Sequence, residues 1–171
     1  QGALSPEAYR AAFDGIKRHI REGDAYQVNL TYRLCDAPAE PPFAAFARLA
    51  AAQRATYAAF LPTPGWTLCS ASPELFFALD GDRLESRPMK GTAPRGRTLA
   101  DDRSRAEALL ASEKDRAENV MIVDMVRNDV GRVACTGSVD VARLFAIEKY
   151  PTVWQMTSAV RARTHAPVAD I

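Results

Sequence analysis

Four short apolar segments follow one another between residues 56 and 87, and turn signals rather than helices separate them. The segments cover residues 56–61, 66–70, 74–79 and 83–87. Pro62-Thr63-Pro64-Gly65 and Asp80-Gly81-Asp82 have the composition of hairpin turns. Strands that are joined by tight turns pair antiparallel. This stretch therefore predicts an antiparallel sheet.

Helical patterns lie on both sides of these strands. Ser5-Pro6-Glu7 offers an N-cap followed by Pro at the first helical position, and apolar residues then recur at helical spacing until Gly23. Residues 43–49 predict a short helix. Residues 99–131 predict a long helix that breaks near Ser112, where the spacing of a capping box starts a second helix. Helices mixed with antiparallel hairpins indicate an α+β domain.

Three further segments complete the predicted secondary structure. Residues 26–34 alternate between apolar and polar side chains, which predicts a strand with one face packed. Residues 132–147 also have strand-like composition, whereas residues 90–98 are rich in Gly, Pro and Arg and predict a loop. The second half of the long helix is apolar almost all round at residues 120–126, which predicts that it is buried.

Composition excludes several classes of function. The formal net charge is +1 and basic residues are interspersed with acidic ones, so nothing indicates a nucleic-acid partner or a membrane surface. Three widely spaced cysteines and two histidines suit neither a disulfide framework nor a zinc site. No apolar run reaches the length of a membrane span. We therefore expect one reduced, cytoplasmic domain over residues 1–171.

Two segments contain candidate catalytic residues. Glu74 opens a strand beside strongly apolar residues, and such surroundings favour a protonated carboxyl that can donate a proton. An exposed Glu at a strand start is an equally good interpretation. Lys90 in Pro88-Met89-Lys90-Gly91-Thr92 is followed by Gly, which lets a ligand approach the backbone. Its amine suits a nucleophile or an anion clamp, although most lysines are solvated surface groups.

The helix that contains Glu118 offers a candidate metal ligand. Glu118 shares a helical face with Met121, Ile122, Met125 and Asp129. A carboxylate on a buried helix must be paired or must bind a metal, and oxygen ligands suit Mg²⁺. Asp124, in contrast, is expected to pair with Arg127 or to cap against Asn128. Gln27, on its pattern alone, is expected to be a solvent-facing strand residue.

Together these segments resemble the chorismate-binding family, which includes anthranilate synthase component I, aminodeoxychorismate synthase component I and isochorismate synthases. The matching stretches occur in the family's order across nearly the whole chain. They are residues 23–30, 72–75, 88–92, 115–132 and 151–158. The resemblance implies the anthranilate synthase component I-like fold, with antiparallel sheets flanked by helices.

Three positions sort the branches of the family that this chain resembles. Isochorismate synthases have a water-activating Lys at the position of Gln27, so Gln27 favours an ammonia-using branch. Anthranilate synthases typically have Ala at the position of Lys90, and Lys there marks the aminodeoxychorismate type. Family members commonly have His at the position of Gln155, and in anthranilate synthase that His assists pyruvate loss. Its absence disfavours anthranilate formation and leaves the role of Gln155 open.

The resemblance implies amination of chorismate to 4-amino-4-deoxychorismate for folate synthesis. Lys90 and Glu74 are then catalytic, Gln27, Gly91 and Thr92 bind substrate, and Glu118 holds Mg²⁺. A glutamine amidotransferase, separate or fused, supplies the ammonia. The family's N-terminal portion and its C-terminal part, with a second metal-binding Glu, are absent, so we expect a partial domain. Alternatives are an anthranilate synthase component I, a non-catalytic truncated module and, less favoured, an isochorismate synthase.

Overall fold

The computed structural model describes residues 4–35, 40–54 and 56–171, and the chain divides into two compact units at residues 42 and 43. The helices are α1 (Pro6–Glu22), α2 (Pro42–Gln53), α3 (Leu99–Ala111) and α4 (Glu113–Val133). The strands are β1 (Tyr57–Pro62), β2 (Thr67–Ser72), β3 (Leu75–Asp80), β4 (Arg83–Arg87), β5 (Met89–Pro94), β6 (Asp140–Lys149) and β7 (Val153–Arg163). A 3-10 turn covers Val168–Asp170. Among the described helices, none has the length and apolarity that a membrane crossing requires.

The first unit consists of α1 and the extended segment that follows it. Ser5 caps α1 by accepting a hydrogen bond from the Ala8 amide, and Gly23 ends it in the left-handed conformation, as the sequence predicts. Residues 26–33, however, form no strand, so that prediction is wrong. An alternating pattern supplies one suitable face, but a strand also needs a neighbouring backbone to bond with. Tyr26 is consequently 87% exposed.

The second unit begins with α2 and a separate hairpin. β1 and β2 pair antiparallel from Tyr57 opposite Ser72 to Pro62 opposite Thr67. Phe60 of this hairpin lies 5.2 Å from the ring of Phe43 on α2. The predicted hairpins and the predicted short helix are therefore confirmed.

The main sheet is organised around β7. On one side β7 pairs with β6, and on the other side it pairs with β4 and β5 in turn. β4 and β5 thus form one line of strand that is interrupted at Pro88, and β3 pairs with the outer side of β4. Residues 89–94 are therefore a strand and not the predicted loop. Their partner lies some sixty residues further along the chain, so local composition gives no sign of the pairing.

α3 and α4 cover one face of this sheet. They are separate helices that meet at Ser112, whose hydroxyl accepts from the Asp115 amide, as predicted. The core between α4 and the sheet contains Leu84, Val123, Val130 and Val160. Only one face of α4 is buried: Met125 remains 58% exposed, so the prediction of an all-round buried helix is wrong. The sheet packs against the face of α4 that contains Val123 and Val130.

Candidate active site

Lys90 lies in a β-bulge of β5. Met89 pairs with Thr157 and Thr92 pairs with Gln155, so two residues of β5, Lys90 and Gly91, stand opposite the single residue Met156. Bulges of this kind leave one residue outside the ladder and redirect its side chain, and they are frequent beside active sites. Lys90 itself is half-buried.

Gly91 makes the bulge possible. Its φ is +101°, a conformation that residues with a Cβ rarely adopt. A Cβ at this position would lie 3.1 Å from the Cβ of Asp115 and 3.2 Å from that of Met156. The missing side chain is therefore needed for close packing of β5 against the helices. A substrate contact at Gly91, which the sequence suggests, would have to come from its backbone.

Glu74 is directed towards the start of β5. Its Oε1 accepts a hydrogen bond of 2.8 Å from the amide of Met89, the residue that precedes Lys90. The Ser72 hydroxyl accepts from the Glu74 amide at 3.2 Å and donates to the Glu74 carbonyl at 3.0 Å, which fixes the turn before β3. Glu74 is exposed, which agrees with the second of the two interpretations of this residue.

Thr92 and Gln155 form a cross-strand pair. The Thr92 hydroxyl donates to Oε1 of Gln155 at 2.8 Å. The predicted donor Thr92 is therefore already engaged, and the Gln155 amide nitrogen remains as a donor. The carboxylate of Glu74, the bulge at Lys90 and the Thr92–Gln155 pair thus lie along the first four residues of β5.

A small cleft of ≈ 100 Å³ borders this region, and Tyr57, Pro73, Met89, Glu148 and Tyr150 are among the residues that line it. The Tyr150 hydroxyl donates to the Pro73 carbonyl at 3.3 Å. Burial and the negative charge of Glu148 raise the pKa of Tyr150, so this phenol stays protonated near neutral pH. Sequence reasoning missed Tyr150, because nothing in the local pattern relates it to Glu74.

Asn119, on α4, is the residue that ties the helix to the bulge. Its side chain is 1% exposed, and its Nδ2 donates to the carbonyls of Lys90 at 3.2 Å and Met156 at 3.3 Å. Its Oδ1 accepts from the Ser158 hydroxyl at 2.5 Å. The sequence contains a signal for it, since Asn119 shares helical spacing with the buried Val123 and Val130. A polar residue within an apolar stripe indicates a buried hydrogen-bond network.

Glu118 is half-buried and precedes Asn119 on α4. A carboxylate oxygen is a ligand that Mg²⁺ prefers, and this ion often takes only one or two protein carboxylates. Partial exposure leaves room for the water ligands that Mg²⁺ retains. Glu118 therefore has the chemistry of a candidate Mg²⁺ ligand. Asp124 pairs with Arg127 at 3.2 Å, as expected.

A second polar cluster fixes the end of β5. The buried carboxylate of Asp102 accepts from Arg95 Nε at 2.7 Å, from the Gly96 amide at 2.8 Å and from the Trp154 indole at 2.9 Å. The Arg95 guanidinium holds the pKa of Asp102 well below its usual range. Arg95 also stacks over Trp154, 4.8 Å from the ring centre. This cluster was missed by sequence reasoning, and it anchors Trp154, the neighbour of Gln155.

Gln27 belongs to the first compact unit. Its side chain is half-buried, whereas the pattern alone predicts exposure. Its Nε2 donates to the Asn29 side chain at 3.5 Å. Of the sequence-predicted site residues, Glu74, Lys90, Gly91 and Thr92 lie together on the second unit, and Glu118 is joined to them through its neighbour Asn119.

Known proteins are similar to this chain in sequence and in fold. A family model described as chorismate binding enzyme matches residues 1–171. An aminodeoxychorismate synthase from Streptomyces pristinaespiralis is 45% identical over 162 residues, which are 94% of this chain and 22% of that protein. An anthranilate synthase component 1 from Haloarcula marismortui is 43% identical over 92% of this chain and 32% of its own length.

A solved structure of the same family has the same fold as this chain. The crystal structure of anthranilate synthase component I from Streptococcus pneumoniae superposes with a TM-score of 0.88 at 26% identity. The match covers 99% of this chain and 38% of that one. The predicted α+β fold, with antiparallel sheets flanked by helices, is therefore confirmed. The family model spans both compact units, and the chain belongs to the chorismate-binding enzyme family.

Proposed function

We propose that this chain is part of an enzyme that aminates chorismate to 4-amino-4-deoxychorismate, the precursor of 4-aminobenzoate in folate synthesis. One observation carries the proposal: the Lys90 amine is borne by a bulge whose preceding amide binds the Glu74 carboxylate at 2.8 Å. The candidate acid is thereby bonded to the backbone of the residue that precedes the candidate nucleophile. Overall identity does not choose the branch, because relatives of two branches match at 45% and 43%.

The reaction uses two displacements on the substrate ring. The neutral amine of Lys90 forms a bond to ring carbon 2, the two conjugated double bonds of the ring shift, and the 4-hydroxyl leaves as water with a proton from Glu74. Because Oε1 of Glu74 is occupied by the Met89 amide, Oε2 is the oxygen that holds this proton. Ammonia then bonds to carbon 4, both double bonds shift back, and Lys90 leaves carbon 2 as the free amine. The new ammonium group returns a proton to Glu74.

The other residues hold the substrate in place for these steps. Gln155 offers its amide nitrogen as a donor, and Gln27 and Thr92 complete the polar contacts that the family resemblance implies. Glu118 would hold Mg²⁺, which supplies positive charge that offsets the substrate carboxylates when it is bound. The ammonia comes from a glutamine amidotransferase, as a separate subunit or a fused domain. A cytoplasmic location belongs to the same proposal.

The decisive test incubates the full-length protein with chorismate, Mg²⁺ and an ammonium salt, and identifies products by mass. We expect aminodeoxychorismate, and a loss of at least ~10³-fold in its rate for Lys90→Ala, since covalent catalysis is removed. Lys114→Ala, an exposed lysine on α4, is the matched control and should keep the parent rate. Full activity of Lys90→Ala would exclude the covalent mechanism.

The principal alternative is an anthranilate synthase component I, which is favoured by the Haloarcula relative and by the superposed crystal structure. The same incubation separates the two enzymes. Anthranilate formation releases pyruvate and gives a fluorescent aromatic amine, whereas aminodeoxychorismate retains the enolpyruvyl group. A protein that binds chorismate without any turnover would instead support the non-catalytic module.

A further inference from the structure

We propose that Asn119 is the positioning residue that fixes the backbone of Lys90 and the turn of α4 that bears Glu118, an inference that rests on the proposed function. Asn119 touches neither the Lys90 amine nor any substrate atom that the mechanism uses. It acts through backbone: its side chain reaches from α4 to the carbonyl of Lys90. The argument comes from the bulge, from the hydrogen-bond network and from the place of Glu118.

The bulge alone does not fix Lys90. One residue of the Lys90–Gly91 pair has no ladder partner, and Gly91 contributes no side chain that could hold the strand. The Lys90 carbonyl receives a further bond from outside the sheet. Asn119 supplies it at 3.2 Å, and the same Nδ2 donates at 3.3 Å to Met156, the residue directly across from the bulge. One amide group thus bridges both strands at this point.

The network continues on the far side of β7. Ser158 donates to Asn119 Oδ1 at 2.5 Å and accepts from the amide of Phe145 at 3.2 Å. Phe145 has a φ of +57° at an irregularity in β6, a strained conformation for a residue with a Cβ. A second distorted strand is therefore joined to the first through two buried side chains. Such an arrangement over-determines the position of Asn119.

Burial makes these bonds costly to lose. A buried amide that lacks its partners costs far more than the small net gain of an ordinary exposed hydrogen bond. Asn119 and Ser158 are each 1% exposed, so water does not replace either partner. The Lys90 carbonyl is consequently held in one place rather than in several.

The same contact also fixes the position of Glu118. It precedes Asn119 in the chain, so the bonds that hold Asn119 to β5 also fix the turn of α4 that bears the Glu118 carboxylate. The relative placement of the Lys90 backbone and of this turn of α4 is therefore set by Asn119. Misplacing reacting groups by about 1 Å can cost about 10²-fold in rate, which gives the scale of the expected effect.

The test compares Asn119→Asp with Thr164→Val in the full-length protein. Asp keeps the acceptor for Ser158 but loses both N–H donors. Thr164 is a matched control, because it is 2% exposed and also donates to a backbone carbonyl, that of Val133, at 2.6 Å. We expect kcat for ammonia-dependent amination to fall about 10- to 100-fold in Asn119→Asp, with the KM for chorismate within about threefold. Thr164→Val should leave both constants near those of the parent.

A second readout does not require turnover. An amine-directed acylating reagent modifies Lys90 at a rate that depends on pH, and peptide mass spectrometry compares it with the exposed Lys114. We expect the pH profile of Lys90 modification to change in Asn119→Asp and to stay unchanged in Thr164→Val. If Asn119→Asp fails to fold, Ser158→Ala serves instead, and we expect a kcat loss of about threefold to tenfold because Asn119 keeps its bond to Lys90.

Two results would overturn the inference: equal kcat losses in the Asn119 and Thr164 variants, or an unchanged Lys90 profile in Asn119→Asp. A loss confined to KM would also contradict it. If the parent protein makes no aminodeoxychorismate, the proposed function fails, and the modification profiles alone then decide the role of Asn119.

Discussion

Residues 1–42 and residues 43–171 have equally clear apolar patterns but differ in what these patterns achieve. In the second unit, Leu84 and Val160 are buried between the sheet and α4. In the first unit, α1 contains no fully buried residue, and Phe13 is 46% exposed. The difference teaches that a pattern identifies the residues fit for a core, whereas burial requires a second layer of structure.

The largest expected difference between the two units is in the free energy of unfolding that is lost when a leucine is shortened to alanine. Leu84→Ala should cost about 3 kcal/mol of unfolding free energy, since it opens a cavity in a packed core. Leu34→Ala, at a residue that is 73% exposed, should cost less than about 0.5 kcal/mol. Urea unfolding of the full-length protein measures both. A cost for Leu34→Ala as large as that for Leu84→Ala would break the comparison, because it would mean that this face is covered in the protein.

Replacing two separate glycines by alanine should change the stability in opposite directions. A Cβ at Gly96 would lie 2.2 Å from the Asp102 amide nitrogen, so Gly96→Ala should destabilise by about 3 kcal/mol. At Gly15, inside α1, a Cβ meets nothing within 4 Å. Gly15→Ala should therefore stabilise the helix by about 1 kcal/mol, because alanine loses less backbone entropy. Thermal unfolding followed by circular dichroism distinguishes them, and two changes of the same sign would contradict the packing described for Gly96.

The third effect is a stabilisation that is present near neutral pH and is lost in acid. Arg95 holds the pKa of Asp102 well below its ordinary value, which is about 3.9 in an unfolded chain. As the pH falls below about 4, the unfolded chain binds this proton first, so the stabilisation is complete above that pH and is lost below it. Asp102→Asn should be less stable than the parent at pH 7, and the gap should narrow as the pH falls towards 2.

Urea midpoints between pH 7 and pH 2 measure this gap. Asp124→Asn is the control, because the Asp124–Arg127 pair is exposed and a surface pair contributes little. A gap between Asp102→Asn and the parent that stays constant over the whole range would contradict the assignment to Asp102.

Much of the fold could be predicted because its signals are local. The caps at Ser5, Gly23 and Ser112 act within one turn of helix, and the hairpins follow from residues at their own turns. The proposed site residues Glu74 and Lys90 were also found from their own segments and from the family resemblance. Each of these inferences needed only neighbouring residues or a known motif.

The parts that could not be predicted depend on distant partners. β5 is a strand only because β7 pairs with it, and the segment around Tyr26 is not a strand because the described residues offer it no such partner. The networks of Asn119 and Asp102 join side chains that lie far apart in sequence. Composition cannot reveal such long-range contacts. A polar residue within an apolar helical stripe, as at Asn119, nevertheless indicates that one occurs.

The central position of β7 also determines where the chain tolerates a change in length. Side chains alternate in direction along a strand, so one residue inserted within Val153–Arg163 would reverse every position beyond it. An insertion just before Gln155 would separate Gln155 from Thr92. An added residue in the turn around Gly81 or Gly65 would only lengthen a hairpin. Natural variation in length should therefore collect in those turns, and β7 should keep the same number of residues in every working enzyme of this type.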